Sequence, residues 1–254
     1  MTGITAALEE GLLILTMDEP ERRNPVGHAV RRRLVQFLSD AEHDRAVHAV
    51  VLTGAGGHFS TGGDIRDQKA VTNIVEARDR FSVVKDLVGR MVRFPKPLVS
   101  AVEGWAAGGG FALALACETV VAAQTARFAS SFGKIGLIPD MGRLATLPAR
   151  IGVARARRII LASATIDAAE GYRLGFVDEL VAEGGALAAA KALAGTAAQA
   201  APLPRVYVKD FLAQEVDRAL EFERQIQPTL LFSADAVEGR AAFFEKRGPV
   251  FRGE

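Results

Sequence analysis

Two glycine-rich turns constrain the fold of this chain, because each of them directly follows a strand-like apolar run. The first turn, residues 58–65 (HFSTGGDI), follows the run 49–53, and the second, residues 104–110 (GWAAGGG), follows the run 97–103. Glycine lacks a Cβ, so backbone N–H groups in such turns can approach a ligand closely. The second turn also opens an apolar helical stretch, whose N-terminal end carries partial positive charge. Two convergent N–H groups of this kind can hold an oxyanion.

Nucleotide-binding glycine loops do not fit this spacing. A dinucleotide fingerprint needs a third glycine three positions after Gly110, but the chain has Leu113 there, preceded by Ala112. A Walker loop needs Gly-Lys-Ser or Gly-Lys-Thr, where the chain has Gly110-Phe111-Ala112. The alternative that the glycines only permit tight packing of strand against helix stays open for either turn alone.

The remaining pattern alternates strands with helices, which favours an α/β architecture. A capping box at 167–170 opens a helix that ends near Gly175. After Gly184 the pattern is purely helical, and we expect residues 1–198 to form the core and residues 199–254 a C-terminal helical region. So small a tail cannot bury its own apolar faces, so it must pack on the core or on a neighbouring subunit. The other expected elements are a hairpin (4–9 and 12–17), helices at 26–44 and 72–93, and strands at 119–123 and 177–181.

Composition argues against several classes of partner. The 31 basic and 30 acidic residues give a net charge of +1, so no overall field attracts nucleic acid. The run Arg31-Arg32-Arg33 fans across a helix surface, and we interpret it as a solvated face. The longest uncharged apolar run, 104–117, is shorter than the roughly 20 residues of a membrane-spanning helix. With no signal-peptide pattern at the start, we expect a cytoplasmic protein without a membrane partner.

Cysteine and histidine chemistry contributes little. Cys117 is the only cysteine, which rules out an internal disulfide, and its apolar setting predicts a buried thiol rather than a nucleophile. The four histidines lack metal-ligand spacing, so no metal site is expected.

Seven segments, in order along nearly the whole chain, make it resemble the crotonase, or enoyl-CoA hydratase/isomerase, superfamily. The resemblance implies a spiral of repeated ββα turns with a C-terminal helical trimerisation region, assembled as a homotrimer or homohexamer. It also implies an acyl-CoA thioester substrate held by its carbonyl oxygen, with coenzyme A as part of the substrate and no permanently bound cofactor. The segments are 23–25 (RNP), 59–64 (FSTGGD), 95–97 (PKP), 104–110, 135–142 (IGLIPDMG), 147–152 (LPARIG) and 244–251 (FEKRGPVF).

The same resemblance assigns binding residues. It places the oxyanion hole at the backbone N–H groups of Thr61 and Gly109, and an acyl pocket at Trp105, Phe132 and the segment 70–90. Asp64 is interpreted as a turn-stabilising residue. The resemblance also implies that Lys246 of an adjacent subunit contacts a phosphate of the coenzyme. For both Arg23 and Lys246, the alternative is that they are ordinary surface charges. The implied coenzyme contacts are Arg23, Pro25, Thr61, Gly62, Gly63, Asp64, Ile65, Gly108, Gly109 and Lys246.

Hydratases of this family carry two glutamates, which would fall here at Ala112 and Phe132. Neither residue can exchange a proton, whereas Asp140 matches the single acid of several isomerases of the family, including phenylacetate-pathway ring-epoxide isomerases and 3,2-enoyl-CoA isomerases. Alternatively, Asp140 caps a helix over 141–151. A pair with Arg143 would lower the pKa of Asp140 and weaken it as a base.

The sequence thus predicts an isomerase that moves a proton with Asp140 while a backbone oxyanion hole stabilises an enolate. The alternatives are a relative with weak hydratase, hydrolase or decarboxylase activity, and a non-catalytic acyl-CoA-binding protein.

Overall fold

The computed structural model describes residues 3–69 and 71–254, apart from the side chains of Gln68 and Lys69. The strands are β1 (Ile4–Glu9), β2 (Leu12–Met17), β3 (Ala49–Gly54), β4 (Leu98–Val102), β5 (Trp105–Ala107), β6 (Thr119–Ala123), β7 (Arg127–Ala129), β8 (Thr165–Asp167) and β9 (Glu179–Val181). The α-helices are α1 (His28–His43), α2 (Ile65–Lys69), α3 (Ile74–Arg93), α4 (Gly109–Ala116), α5 (Arg143–Ile151), α6 (Val153–Leu161), α7 (Ala168–Leu174), α8 (Ala186–Ala197), α9 (Pro202–Leu212), α10 (Gln214–Leu231) and α11 (Ala234–Glu245). Two 3₁₀ helices span Pro20–Arg22 and Phe132–Ile135.

The strands form two sheets, and from β4 to β7 the chain alternates between them. The larger sheet has the order β1-β2-β3-β4-β6-β9 and is parallel except for the β1–β2 hairpin. The smaller sheet has the order β5-β7-β8, and an isolated bridge from Ser60 to Ala106 extends it. Two successive turns of the chain are β4-β5-α4 and β6-β7-α5. In each turn the first strand joins the larger sheet, the second joins the smaller sheet, and a helix follows. This winding is the expected spiral of ββα turns.

Helices cover both faces of the larger sheet, so its inner strands are apolar throughout rather than alternating. On β3, Val50 and Leu52 join the main core, whereas Ala49 and Val51 pack in a second layer with Ala190 of α8. Three phenylalanines, Phe111, Phe128 and Phe176, meet in the main core with ring centroids 5.1 Å apart. This packing fixes α4, and hence the second glycine turn, against the sheets.

Most elements expected from sequence are confirmed within a few residues. The Asp167 side chain caps α7 by accepting the Glu170 N–H at 2.7 Å, as the capping box predicts. The smaller sheet was not predicted, because three-residue strands carry too little alternation to be recognised. The helix expected at 141–151 begins only at Arg143, since Met141 (φ 58°) and Gly142 (φ 75°) adopt left-handed backbone conformations.

The C-terminal helices pack on the core of their own chain. Arg93 of α3 pairs with Asp217 and Asp210, and Lys85 of α3 pairs with Glu221 of α10. Helix α11 packs closely on the 3₁₀ helix Phe132–Ile135. A Cβ on Gly239 would lie only 2.6 Å from the Ile135 Cα, so no side chain fits at this contact. No α-helix of the described residues is long and apolar enough to cross a membrane.

A large apolar surface nevertheless remains exposed on α9. Tyr207 is 73% exposed and Phe211 71%, and Leu203, Val208 and Leu212 are also exposed. Contiguous apolar patches of this kind mark protein interaction sites in soluble proteins. The surface fits the expected contact between subunits.

We predict that the protein is a trimer or hexamer in solution, with a mass three or six times 27.0 kDa by light scattering. A charge in an apolar interface is costly to bury, so Phe211→Asp should shift the population toward smaller species. Leu161→Asp is the matched control, because Leu161 is 78% exposed on α6, outside the C-terminal region. A wild-type monomer at micromolar concentration would contradict the prediction.

Candidate active site

The two glycine turns are in direct contact, and this contact builds the site. The Ala107 N–H donates to the Ser60 carbonyl at 2.8 Å. A Cβ on Gly62 would lie 2.5 Å from the Ala107 oxygen and 2.6 Å from the Gly109 nitrogen, and Gly62 has a φ of 87°. A Cβ on Gly110 would lie 2.4 Å from the Ser60 oxygen. No side chain fits at these positions, so the glycines are required for the two backbones to meet.

The structure corrects the predicted pair of oxyanion donors. The N–H of Thr61 donates to the Arg23 carbonyl at 3.0 Å and is therefore occupied, as is the N–H of Gly108, which donates to Ala129 at 2.9 Å. Gly63 follows on the same turn, and its nitrogen lies 3.4 Å from where a Cβ of Gly109 would stand. The N–H groups of Gly63 and Gly109 have no acceptor among the described residues. Within the described residues, the pair of adjacent N–H groups available to a ligand is therefore Gly63 and Gly109 rather than Thr61 and Gly109.

The segment that precedes α1 lies beside the first glycine turn. Pro25 forms a bridge with Gly62, and the Val26 N–H donates to the Gly62 carbonyl at 2.6 Å. Arg22 forms an ion pair with Asp64, whereas the neighbouring Arg23 is exposed. The predicted coenzyme contacts from residue 23 to residue 65 therefore lie next to one another.

Two other predicted coenzyme residues have different outcomes. Asp64 accepts the Arg66 N–H at 3.0 Å as α2 begins at Ile65, which confirms its interpretation as a turn-stabilising residue. Lys246 is exposed just after the end of α11, and this chain alone does not bring it to the glycine turns. Its contact across subunits stays a prediction.

Asn24 is a structural residue of the site to which the sequence analysis gave no role. It is 1% exposed, and its side-chain amide donates to the carbonyls of Ala55 (2.8 Å) and His58 (2.7 Å). Its side-chain oxygen accepts the Glu19 N–H at 3.0 Å. Such a satisfied buried amide ties the segment before α1 to the first glycine turn. In the sequence, this role is indicated by the position of Asn24 within the Arg-Asn-Pro segment 23–25.

The residues predicted to form the acyl pocket divide into two groups. Phe132 is buried, and its Cε2 lies 3.9 Å from where a Cβ of Gly108 would stand, so it borders the second glycine turn. Trp105 instead lines a surface groove with Glu103, Arg127 and Glu183, and the structure does not bring it to the Asp140 side of the turns. Ala70 lies outside the described residues, but other residues of the segment 70–90 line a cavity with Asp140.

Asp140 is a buried carboxyl next to the second glycine turn. It is 7% exposed, and the adjacent Met141 reaches Gly109, where a Cβ would lie 2.8 Å from the Met141 sulfur. Burial raises the pKa of Asp140, and the charge of Arg31, a hydrogen bond from Gln227 (3.4 Å) and the charge of Arg143 oppose this increase. The net direction is upward, which strengthens the carboxylate as a base.

Both alternatives considered for Asp140 are wrong. The N-cap of α5 is Gly142, and no side chain caps this helix, so the Asp140 carboxylate is not a helix cap. Arg143 does not lower the pKa of Asp140 below its usual value, because burial outweighs its charge. The Arg143 guanidinium instead donates to Ser130 at 3.0 Å and lies 4.8 Å from the Phe132 ring centroid. Burial lowers the pKa of Arg143 to about 10, which leaves it protonated at neutral pH.

Arg31 also departs from its interpretation as part of a solvated face. Arg32 and Arg33 are exposed, but Arg31 turns toward the cavity that contains Asp140, and its Nε is buried. The helical projection alone could not show this, because α2 and α3 cover that side of α1 only in the folded chain.

The loop that carries Asp140 is held by two polar residues of α10 that the sequence analysis missed. Glu223 is 1% exposed and accepts the Gly142 N–H at 3.0 Å. One turn later, Gln227 donates to the Ile138 carbonyl at 2.8 Å and accepts the Ile138 N–H at 3.3 Å. The two residues thus fix the backbone on either side of Asp140. Their spacing of four residues within an apolar helix face was the only signal in the sequence.

Burial raises the pKa of Glu223 to about 8, so this carboxyl is protonated at neutral pH. A raised folded-state pKa gives stability that is present below the ordinary value of 4.5 and is lost as the pH rises through about 8. We predict that the free energy of unfolding falls between about pH 6 and pH 9, by at least about 1.4 kcal/mol, the equivalent of one pKa unit. Thermal melts across this range would measure it.

Glu223→Gln should reduce that fall, because glutamine does not ionise and its amide oxygen can still accept the Gly142 N–H. Glu215→Gln is the matched control on the same helix, since the Glu215 side chain is 80% exposed. An unchanged pH dependence in Glu223→Gln would contradict the assignment of this loss of stability to Glu223.

Comparison with known proteins supplies the family. The model of the enoyl-CoA hydratase/isomerase family matches residues 7–254. The chain is 33% identical to 1,2-epoxyphenylacetyl-CoA isomerase of Escherichia coli strain K12, with all of both chains covered. It is 36% identical to a putative enoyl-CoA hydratase of Thermus thermophilus, with 96% of this chain and 99% of the relative covered.

Solved structures agree with the sequence relatives. An enoyl-CoA hydratase from Mycobacterium avium subsp. paratuberculosis superposes with a TM-score of 0.89 at 30% identity, covering 98% of each chain. A second structure, EchA1_1 from Mycobacterium paratuberculosis, gives a TM-score of 0.87 at 32% identity over the whole of both chains. With its spiral of ββα turns and its contacting glycine turns, the chain belongs to the enoyl-CoA hydratase/isomerase family.

Proposed function

We propose that the protein is an acyl-CoA isomerase that moves a proton along the acyl chain with Asp140 as its single acid–base group. The observation that carries this proposal is the position of Asp140, a buried carboxyl on a loop that contacts the glycine turn bearing a free N–H pair. Enzymes of this family act on acyl-CoA thioesters, and a thioester enolate concentrates its charge on the carbonyl oxygen. The free pair of N–H groups suits that oxygen.

In the proposed reaction, the thioester oxygen of a 3-enoyl-CoA accepts hydrogen bonds from the N–H groups of Gly63 and Gly109. The Asp140 carboxylate removes a proton from the carbon next to the thioester, and the electron pair delocalises over the oxygen and the double bond as a dienolate. The protonated Asp140 then returns the proton to the far end of this system, which gives the conjugated 2-enoyl isomer. Each donor is worth on the order of 3 kcal/mol by analogy with other oxyanion holes.

The coenzyme half of the substrate would lie along the surface formed by Arg23, Pro25 and residues 61–65. Two relatives support a thioester substrate by name, 1,2-epoxyphenylacetyl-CoA isomerase and 2,3-dehydroadipyl-CoA hydratase, both of E. coli strain K12. Relatives named hydratase need a way to activate water. At the two positions expected for hydratase glutamates this chain has Ala112 and Phe132, both buried and neither titratable, which favours isomerisation over hydration.

The first prediction for this function concerns Asp140→Asn. Asparagine keeps the size of the side chain but cannot accept a proton at neutral pH, so exchange of the α- and γ-protons of a 3-enoyl-CoA in D₂O should fall by roughly 10² to 10⁴. Binding of the same thioester, measured by calorimetry, should stay nearly unchanged. Asp86→Asn is the matched control, because the Asp86 side chain is 55% exposed on α3.

Exchange at the wild-type rate in Asp140→Asn would remove the only base of the proposed mechanism. No exchange in the wild type, with acyl-CoA binding intact, would leave an acyl-CoA-binding protein instead.

A further prediction concerns hydration of crotonyl-CoA, followed as loss of absorbance of the conjugated thioester. Because Ala112 and Phe132 supply no general acid or base, turnover should be far below the ordinary enzymatic value of about 10 per second. Turnover at or above that value would show that other residues activate water in this site.

A further inference from the structure

The cavity beside Asp140 has a largely polar lining. Its volume is about 30 Å³ in this structure, which is room for one or two water molecules. Val71, Phe81 and Leu231 form its apolar lining. The remaining wall is largely charged or titratable, and it comprises His28, Arg31, Asp64, Asp67, Arg80 and Asp140.

Most of these polar groups are satisfied by the protein itself. Asp64 pairs with Arg22, and Asp67 accepts the backbone N–H of His28 at 2.9 Å. Arg80 donates to the Asp67 carbonyl at 3.0 Å and to the Glu76 carboxylate at 2.8 Å. These groups have no need of a ligand.

Two nitrogen atoms in the same wall are not satisfied. The Nε of Arg31 and the Nδ1 of His28 are buried, and neither has a hydrogen-bond partner among the residues that the structure describes. They lie three residues apart on α1, so they project from the same side of the helix. Burial lowers the pKa of His28, so its ring is neutral at neutral pH and can present Nδ1 as donor or acceptor, depending on its tautomer.

The identity of the acyl group changes the energy of these two nitrogens. A plain alkyl chain in the cavity would exclude water and leave the buried Nε of Arg31 without an acceptor. Burying a polar group unpaired is unfavourable, and more so when the group is charged. An oxygen atom at the same place would accept from Arg31 and avoid that cost. Sites built to hydrogen-bond a substrate oxygen discriminate strongly against the analogue that lacks it.

We propose that Arg31 and His28 form a subsite for an oxygen atom on the acyl group, so that the preferred substrates are acyl-CoA thioesters with a hydroxyl, carbonyl or carboxylate oxygen remote from the thioester. This subsite rests on the proposed function only in so far as the acyl group enters the cavity beside Asp140. Asp140 shares the cavity, so an acyl group held by Arg31 is also held beside the base.

The test compares three thioesters of equal chain length: hex-3-enoyl-CoA, 6-hydroxyhex-3-enoyl-CoA and hex-3-enedioyl-CoA. Their dissociation constants are measured by calorimetry, and their proton exchange in D₂O is measured in parallel. The wild type should bind at least one oxygen-bearing thioester about tenfold or more tightly than the alkyl one. Preference for the hydroxyl compound indicates a neutral oxygen as the natural occupant, and preference for the dicarboxylate indicates an anionic one.

Arg31→Met keeps an unbranched apolar stem like that of arginine and removes the guanidinium donors, so it should abolish the preference while leaving hex-3-enoyl-CoA bound as well as or better than in the wild type. Arg32→Met is the matched control, because Arg32 is exposed on the same helix and should keep the preference. If Arg31→Met does not fold, Arg31→Lys replaces it and should reduce the preference in part.

Equal binding of the three thioesters by the wild type would overturn the subsite, and so would a preference that survives in Arg31→Met. Failure of the proposed function gives a different pattern, in which the binding preference is present but no thioester exchanges protons. Absence of binding by all three would overturn both.

Discussion

The contact between the two glycine turns is the constraint on which the site depends. Gly62 approaches the second turn so closely that a single Cβ would collide with the Ala107 carbonyl and the Gly109 nitrogen. This approach leaves the N–H groups of Gly63 and Gly109 adjacent and without an acceptor in the described part of the chain, while the N–H groups of Thr61 and Gly108 hold the turns in place. Two backbone N–H groups of the site therefore hold the turns together, and the other two point to a role in binding a ligand.

A second constraint comes from the C-terminal region. Helix α10 carries Glu223 and Gln227, whose side chains hold the loop on both sides of Asp140. The base of the proposed reaction is consequently positioned by a helix of the last quarter of the chain. Packing of α10 against α3 and the placement of Asp140 are thus physically linked, and a change in that packing would move the carboxyl.

The sequence could predict what depends on local pattern and on complete motifs. The hairpin, the capping box at Asp167, the two strand-to-glycine turns and the position of Asp140 in the site region all followed from residues close together in the chain. The family and its spiral followed from seven ordered segments. Each of these signals is local, so the rest of the chain did not have to be known.

What the sequence could not predict depends on contacts between distant residues. The sequence predicts the Thr61 N–H as an oxyanion donor, and only the folded backbone shows that the Arg23 carbonyl accepts it. Asp140 fits a helix N-cap by pattern, but the left-handed conformations of Met141 and Gly142 delay the start of α5. Glu223 and Arg31 resemble ordinary surface charges until α10 and α1 are placed against the loop and the cavity.

The most direct test of this account is a crystal structure of the protein with an acyl-CoA bound, using Asp140→Asn to prevent turnover. The thioester oxygen should lie about 2.7–3.1 Å from the backbone nitrogens of both Gly63 and Gly109, with residue 140 facing the carbon next to the thioester. A thioester oxygen that contacts the Thr61 nitrogen instead, or that lies away from both glycine turns, would contradict it.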